Sequence, residues 1–155
     1  MGRLSKLIGL KPADQALIVL TTWLLLVAMV GLATVGLDRT YRLIDRLSSV
    51  ARVVPKPPEH RILWALDVGT TTLPLEVDCL PRAFVGQCLL SDCGIDAVVR
   101  IGVRNGTDGF EAHAWVERRD EVVIGQLDGL DRFQPITEFS GDTTHSRSAS
   151  PVEPA

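Results

Sequence analysis

The sequence predicts an α+β chain, with helices first and a small antiparallel sheet after them. Three observations carry this. Residues 16–37, ALIVLTTWLLLVAMVGLATVGL, contain no charge; the run is too long for a strand and would be apolar on nearly every side of a helix. Pro55, Pro57 and Pro58 then interrupt the chain, because proline cannot continue a helix. From Asp96 onward, short β-rich stretches alternate with turn residues: DAVVRIGV, RNGTDG, FEAHAWVE, RRD and EVVIG. That spacing reads as a meander of strands. Between the prolines and the strands lie two more helices, the second placed to pack on the sheet.

The elements follow in order. MGRLSKLIGLK is short and basic, and Pro12 and Asp14 suit a first helical turn. As a helix, residues 16–37 would span about 33 Å, close to the thickness of a bilayer's hydrocarbon core. A membrane helix is the first reading. Gly31, Gly36 and three threonines dilute the run, which leaves a helix buried inside an assembly and a signal-peptide core as the other readings. Basic residues flank both ends, Arg3, Lys6 and Lys11 before and Arg39, Arg42 and Arg46 after, so charge does not set an orientation. Residues 38–54 form an amphipathic helix with Tyr41, Ile44, Leu47 and Val50 on one side. Residues 59–68 are helical and GTTTLPLEV is a loop. Asp78 is a good N-cap, Pro81 is tolerated in a first turn and Gly94 is a good C-cap, which predicts a helix over 79–93. The chain thus divides into a hydrophobic helical region (1–54), a domain over 59–139, and a polar tail (140–155) with the composition of disorder.

Composition narrows the function. With 155 residues the chain can bury one core. A net charge of -3 and scattered basic residues argue against nucleic-acid binding. Cys79, Cys88 and Cys93 form no CxxC pair, and His60, His113 and His145 lie far apart in sequence. Neither a disulfide scaffold nor a metal site is expected, and no cofactor motif is present.

The chemistry centres on Cys79. It occupies the first position of a capped helix, where the dipole and the free N–H groups favour a thiolate. The same N–H groups can hold an oxyanion. A histidine on a neighbouring strand would take the thiol proton and return it to a leaving amine, while a third polar group holds its ring. His113 fits, because strand alternation puts it with Glu111, Trp115 and Glu117, opposite Phe110, Ala112, Ala114 and Val116. The competing readings are a core histidine for His113 and a small buried hydrophobe for Cys79. Cys88 and Cys93 lie further along the helix, where the dipole no longer helps. For the third role Asp128 is preferred, since it follows the strand that hairpins back. Asp120 sits at the far end of that hairpin, about 17 Å along the strand. Gln126 offers a neutral acceptor.

DCLPRAFVGQCLLSDCGIDAVVRIGV, followed by GFEAHAWVE, resembles the split-form cysteine protease of lasso-peptide maturation, within the transglutaminase-like, papain-related superfamily. The likeness covers about residues 60–137. It implies a transglutaminase-like fold and a Cys–His–Asp peptidase that removes the leader from a ribosomally made precursor. Cys79 and His113 match the motif directly. The family's aspartate falls near VVIGQLDG, where Gly125 and Gln126 stand first and Asp128 follows. The resemblance also implies a precursor leader peptide as substrate, a separate small leader-recognition protein, an ATP-dependent cyclase, and a cytoplasmic place of action. Its members' hydrophobic helical N-terminal part offers a place for residues 16–37 inside an assembly; a membrane helix there would instead anchor the chain to the inner face of the membrane. Two other readings share these residues: an acyl transferase or deamidase of the same superfamily, and a non-catalytic module that binds a peptide.

Overall fold

The computed structural model describes residues 10–50, 56–106 and 109–140. Four helices precede the sheet: α1 (Pro12–Thr34), α2 (Leu37–Val50), α3 (Glu59–Thr72) and α4 (Cys79–Asp92). The strands are β1 (Val98–Gly106), β2 (Gly109–Arg118), β3 (Glu121–Ile124) and β4 (Gln134–Ser140). They form one antiparallel sheet in the order β3-β2-β1-β4. The fold class is α+β, as the sequence predicts.

The uncharged run 16–37 is not a single helix. It ends at Thr34, and the chain reverses at Gly36, whose φ of 86° favours glycine. Leu37 already belongs to α2, an αα-hairpin partner of α1. In α2, Tyr41 and Ile44 are buried and Leu47 packs against the core. Helix α3 runs one turn beyond its expected end, through Thr72. The Thr70, Thr71 and Thr72 hydroxyls donate back to the carbonyls of Leu66, Asp67 and Val68, and Gly69 lies close against Thr22 and Leu25 of α1. Helix α4 starts and stops where the caps predict, with Gly94 at a φ of 78° beyond its end. In the β2–β3 turn, Arg119 and Asp120 both adopt positive φ, the geometry of a tight two-residue hairpin. The RNGTDG turn is narrower than expected, because β1 continues to Gly106 and pairs it with Gly109. The expected breaker at Pro55 lies outside the described residues, as does the expected disordered tail at 140–155 except for Ser140, which ends β4.

Helix α4 is the centre of the core. Its Ala83, Phe84, Val85, Cys88 and Leu90 meet Leu24 and Leu25 of α1, Ile44 of α2 and Leu66 of α3 on one side. On the other they meet Val99, Ala114, Val116, Ile124 and Phe139 of the sheet. The N-terminal helices and the sheet therefore share one hydrophobic core. Gly86 lets Ile124 approach closely, since a Cβ there would sit 2.2 Å from the Ile124 Cδ1. One polar group crosses this core fully satisfied. The Gln87 oxygen accepts from the Tyr41 hydroxyl at 2.8 Å, and its amide donates to Ser91 Oγ and to the Ala97 carbonyl.

Candidate active site

Cys79 is the first residue of α4, half-buried at the margin of the core. Asp78 has the extended backbone of an N-cap, but its carboxylate makes no cap hydrogen bond. The first-turn N–H groups are thus not occupied by the capping side chain. The other two thiols are poorly suited to nucleophilic work. Burial pushes Cys88 well above the ordinary thiol range, with Asp45 and Asp92 adding to it. Burial and then Asp92 also raise Cys93. All three thiols are free.

His113 lies on β2 and is half-buried. Its Nε2 is 2.8 Å from the Gly125 carbonyl oxygen. A carbonyl only accepts, so in the neutral ring Nε2 carries the proton and Nδ1 is left as the basic nitrogen. The ring stacks beside Trp115, with centroids 6.3 Å apart and planes within 14°, and tilts against Phe133 at 5.7 Å. Trp115 is pinned in turn, because its indole N–H donates to Glu117 at 2.7 Å. Glu117 also pairs with Arg100, which reaches Glu138 on β4. Arg104 stacks on Phe133 and pairs with Glu111.

Gly125 is the site residue that sequence reasoning missed. Its φ is 81°, and a Cβ would fall 2.8 Å from the Ala114 carbonyl and 3.1 Å from the Trp115 Cα. Only glycine lets the backbone come this close and present its carbonyl to the imidazole. The signal was a glycine closing a strand at the place where the resembling family carries its acid. Asp128 does not take that role in the structure. After Gly125 the chain crosses over the Trp115 face on its way to β4, and Asp128 lies in this crossover, exposed. There it borders a cleft of about 550 Å³ lined by Trp115, Gln126, Leu127, Asp131 and Phe133. Gln126 is exposed on the same crossover, and Asp120 is exposed in the hairpin turn. Among the described residues the only hydrogen-bond partner of the imidazole is the Gly125 carbonyl.

Cys79 and His113 are not joined. The C-terminal half of α4 is tied to the start of β1 through Gln87 and Ala97, so Cys79 lies at the helix end remote from Ala97. His113 pairs with Gly102, likewise remote from Ala97. The face of β2 that packs on α4 carries Ala114 and Val116, whereas His113 and Trp115 project from the opposite one. Among the described residues no hydrogen bond links the thiol to the imidazole.

No curated protein and no solved structure matches this chain. A family model described as the transglutaminase-like superfamily matches residues 17–138, from α1 to the last strand. Members of that superfamily are typically cysteine-dependent enzymes of the protease and acyltransferase type. A free cysteine opening the central helix, a histidine on the adjoining sheet and a match over most of the chain agree: the chain belongs to the transglutaminase-like superfamily.

Proposed function

We propose that the chain is a cysteine peptidase that removes the leader from a ribosomally made precursor during lasso-peptide maturation. The observation that carries the chemistry is the His113 ring, held through Nε2 with Nδ1 free, in a fold whose central helix opens with Cys79. In the reaction, Nδ1 takes the Cys79 proton and the thiolate attacks the scissile carbonyl. The first-turn N–H groups of α4 hold the oxyanion. The intermediate collapses, the C–N bond breaks, and the imidazolium gives its proton to the leaving amine. Water, deprotonated by the same ring, then releases the leader as an acid and frees the thiol. The Gly125 carbonyl fixes the tautomer throughout and, being neutral, adds no charge. Because His113 projects from the face of β2 opposite α4, this proton transfer requires β2 or the Gly125 crossover to shift when substrate binds. In this reading the chain acts on a leader peptide presented by a separate small recognition protein, on the cytoplasmic side, and hands the core peptide to an ATP-dependent cyclase.

One observation favours a second reading. The thiol and the imidazole are not bonded, and among the described residues no carboxylate backs the ring. A module that binds the peptide without cutting it would have no need of either. The test is the full chain mixed with the precursor peptide and recognition protein encoded beside its gene, with leader release followed by mass spectrometry. A maleimide should label Cys79 before Cys88 or Cys93, and Cys79→Ala should abolish release. Undiminished release by Cys79→Ala, or tight peptide binding with no release by the unmodified chain, would count against the peptidase.

A further inference from the structure

Helix α1 has two apolar faces, and the fold uses only one. Leu17, Leu24, Leu25, Ala28 and Gly31 pack inward. On the opposite side Val19, Trp23, Leu26 and Val30 are exposed, Val19 at 68% and Val30 at 63%. Their spacing of four, three and four residues makes a single straight stripe along the helix. Helix α2 continues the surface with a different chemistry. Arg39, Arg42 and Arg46 are exposed together with Leu43, again on one face. Both helices pack on α4 and against each other, and the faces they turn away from α4 are exposed. Charge is divided accordingly. Residues 1–50 hold six basic and three acidic side chains, a balance of +3 in a chain whose total is -3.

We infer that this side of the molecule docks on an anionic lipid surface, with the α1 stripe in the interface and the three α2 arginines on the headgroups. Exposed aliphatic and tryptophan side chains next to exposed arginines are what such a surface selects: the apolar groups enter the headgroup boundary and the guanidinium groups pair with phosphates. Helix α1 is long and apolar enough to cross a membrane. Its inner face, however, is part of the same core as the sheet, so crossing would strip Leu24, Leu25 and Ala28 from α4. Lying on the surface keeps that core and covers the stripe. A second copy or a partner helix could instead cover Val19, Trp23, Leu26 and Val30, and that is one outcome of the test below. This inference is independent of the peptidase reading.

The experiment is sedimentation of the full chain with vesicles of phosphatidylcholine alone, or of phosphatidylcholine and phosphatidylglycerol in equal parts. Binding should be strong only on the anionic vesicles and should be released by high salt. Replacing Arg39, Arg42 and Arg46 together by alanine should weaken it by about a hundredfold at low salt. Trp23→Glu with Val30→Glu should abolish it, and both sets of changes, being at exposed positions, should leave the far-ultraviolet circular dichroism unchanged. Three results would overturn the inference: equal binding to both kinds of vesicle, pelleting that resists alkaline carbonate, or no vesicle binding together with a dimer that Trp23→Glu dissociates. The first two would make α1 a spanning or lipid-indifferent helix, and the third would make the stripe a protein contact.

Discussion

At the scale of single residues, the choice at the site is between a carbonyl and a carboxylate. The Gly125 oxygen is already 2.8 Å from His113 Nε2, and Asp128 lies on an exposed crossover. Asp128→Asn should therefore leave leader release within about twofold of the parent, because it changes no group that touches the ring. Gly125→Ala should be far more damaging. The added Cβ meets the Ala114 carbonyl at 2.8 Å at a positive φ, so the loop must shift and the carbonyl with it. A misplaced general base costs on the order of a hundredfold in kcat. Single-turnover release by the two variants would decide, and a large loss with Asp128→Asn would return the orienting role to the aspartate. This part of the site was hard to read from sequence for a simple reason. Cysteine, histidine and aspartate announce their chemistry by type, but every residue has a carbonyl. What marks Gly125 is its conformation, visible only once the strand and its close neighbour are placed.

At the scale of elements, Gly102 on β1 is the least tolerant point beneath the site. It pairs with His113 across the strands. A Cβ there would meet the Trp115 ring at 2.8 Å and the Gln134 carbonyl at 3.1 Å. Trp115 is buried and bonded to Glu117, which resists a shift of the ring. Gly102→Ala should cost roughly 1–3 kcal/mol of stability and should shift the His113 ring resonances; a silent substitution in both urea denaturation and nuclear magnetic resonance would show that the indole is free to move. Legibility varied among the elements for physical reasons. Helix α4 was readable to within a residue because Asp78 and Gly94 bracket it. The last turn of α3 was not, since Gly-Thr-Thr-Thr is a poor helical sequence in isolation and is held by back-bonded hydroxyls and by packing on α1. Strand β4 was missed altogether. QPITEFS carries a proline and little alternation, and it is a strand because it completes the edge of β1.

At the scale of the whole molecule, three aromatic rings tie the first helices to the last strand. Tyr41 of α2, Phe84 of α4 and Phe139 of β4 meet pairwise with centroids 5.2, 4.9 and 5.2 Å apart. Losing the helical region would open this cluster and expose Leu66, Phe84 and Leu90. A chain beginning at residue 56 should thus fail to fold, as judged by amide proton dispersion; a well-dispersed spectrum would mean that the sheet and α4 stand alone. The same cluster supplies an optical reporter, because Tyr41 is the one tyrosine in the sequence. Its hydroxyl is buried and donates to Gln87. Burial, with Cys88 and Asp45 nearby, pushes it far above the ordinary value of 10.0, and burial raises Cys88 above its ordinary 9.0. The sign follows directly. Both groups are neutral when folded and ionise more readily when unfolded, so their contribution is complete below the unfolded values and declines as the pH climbs past about 9 and then 10. Stability should be flat near neutrality with respect to these groups and should fall steeply on the alkaline side. Tyrosinate absorbance should stay absent through the ordinary range and then rise in one cooperative step, together with the loss of helical circular dichroism. A gradual rise centred near 10 with the helix signal intact would mean that Tyr41 reaches water in the folded chain, and that the helical layer does not close over α4 and β4.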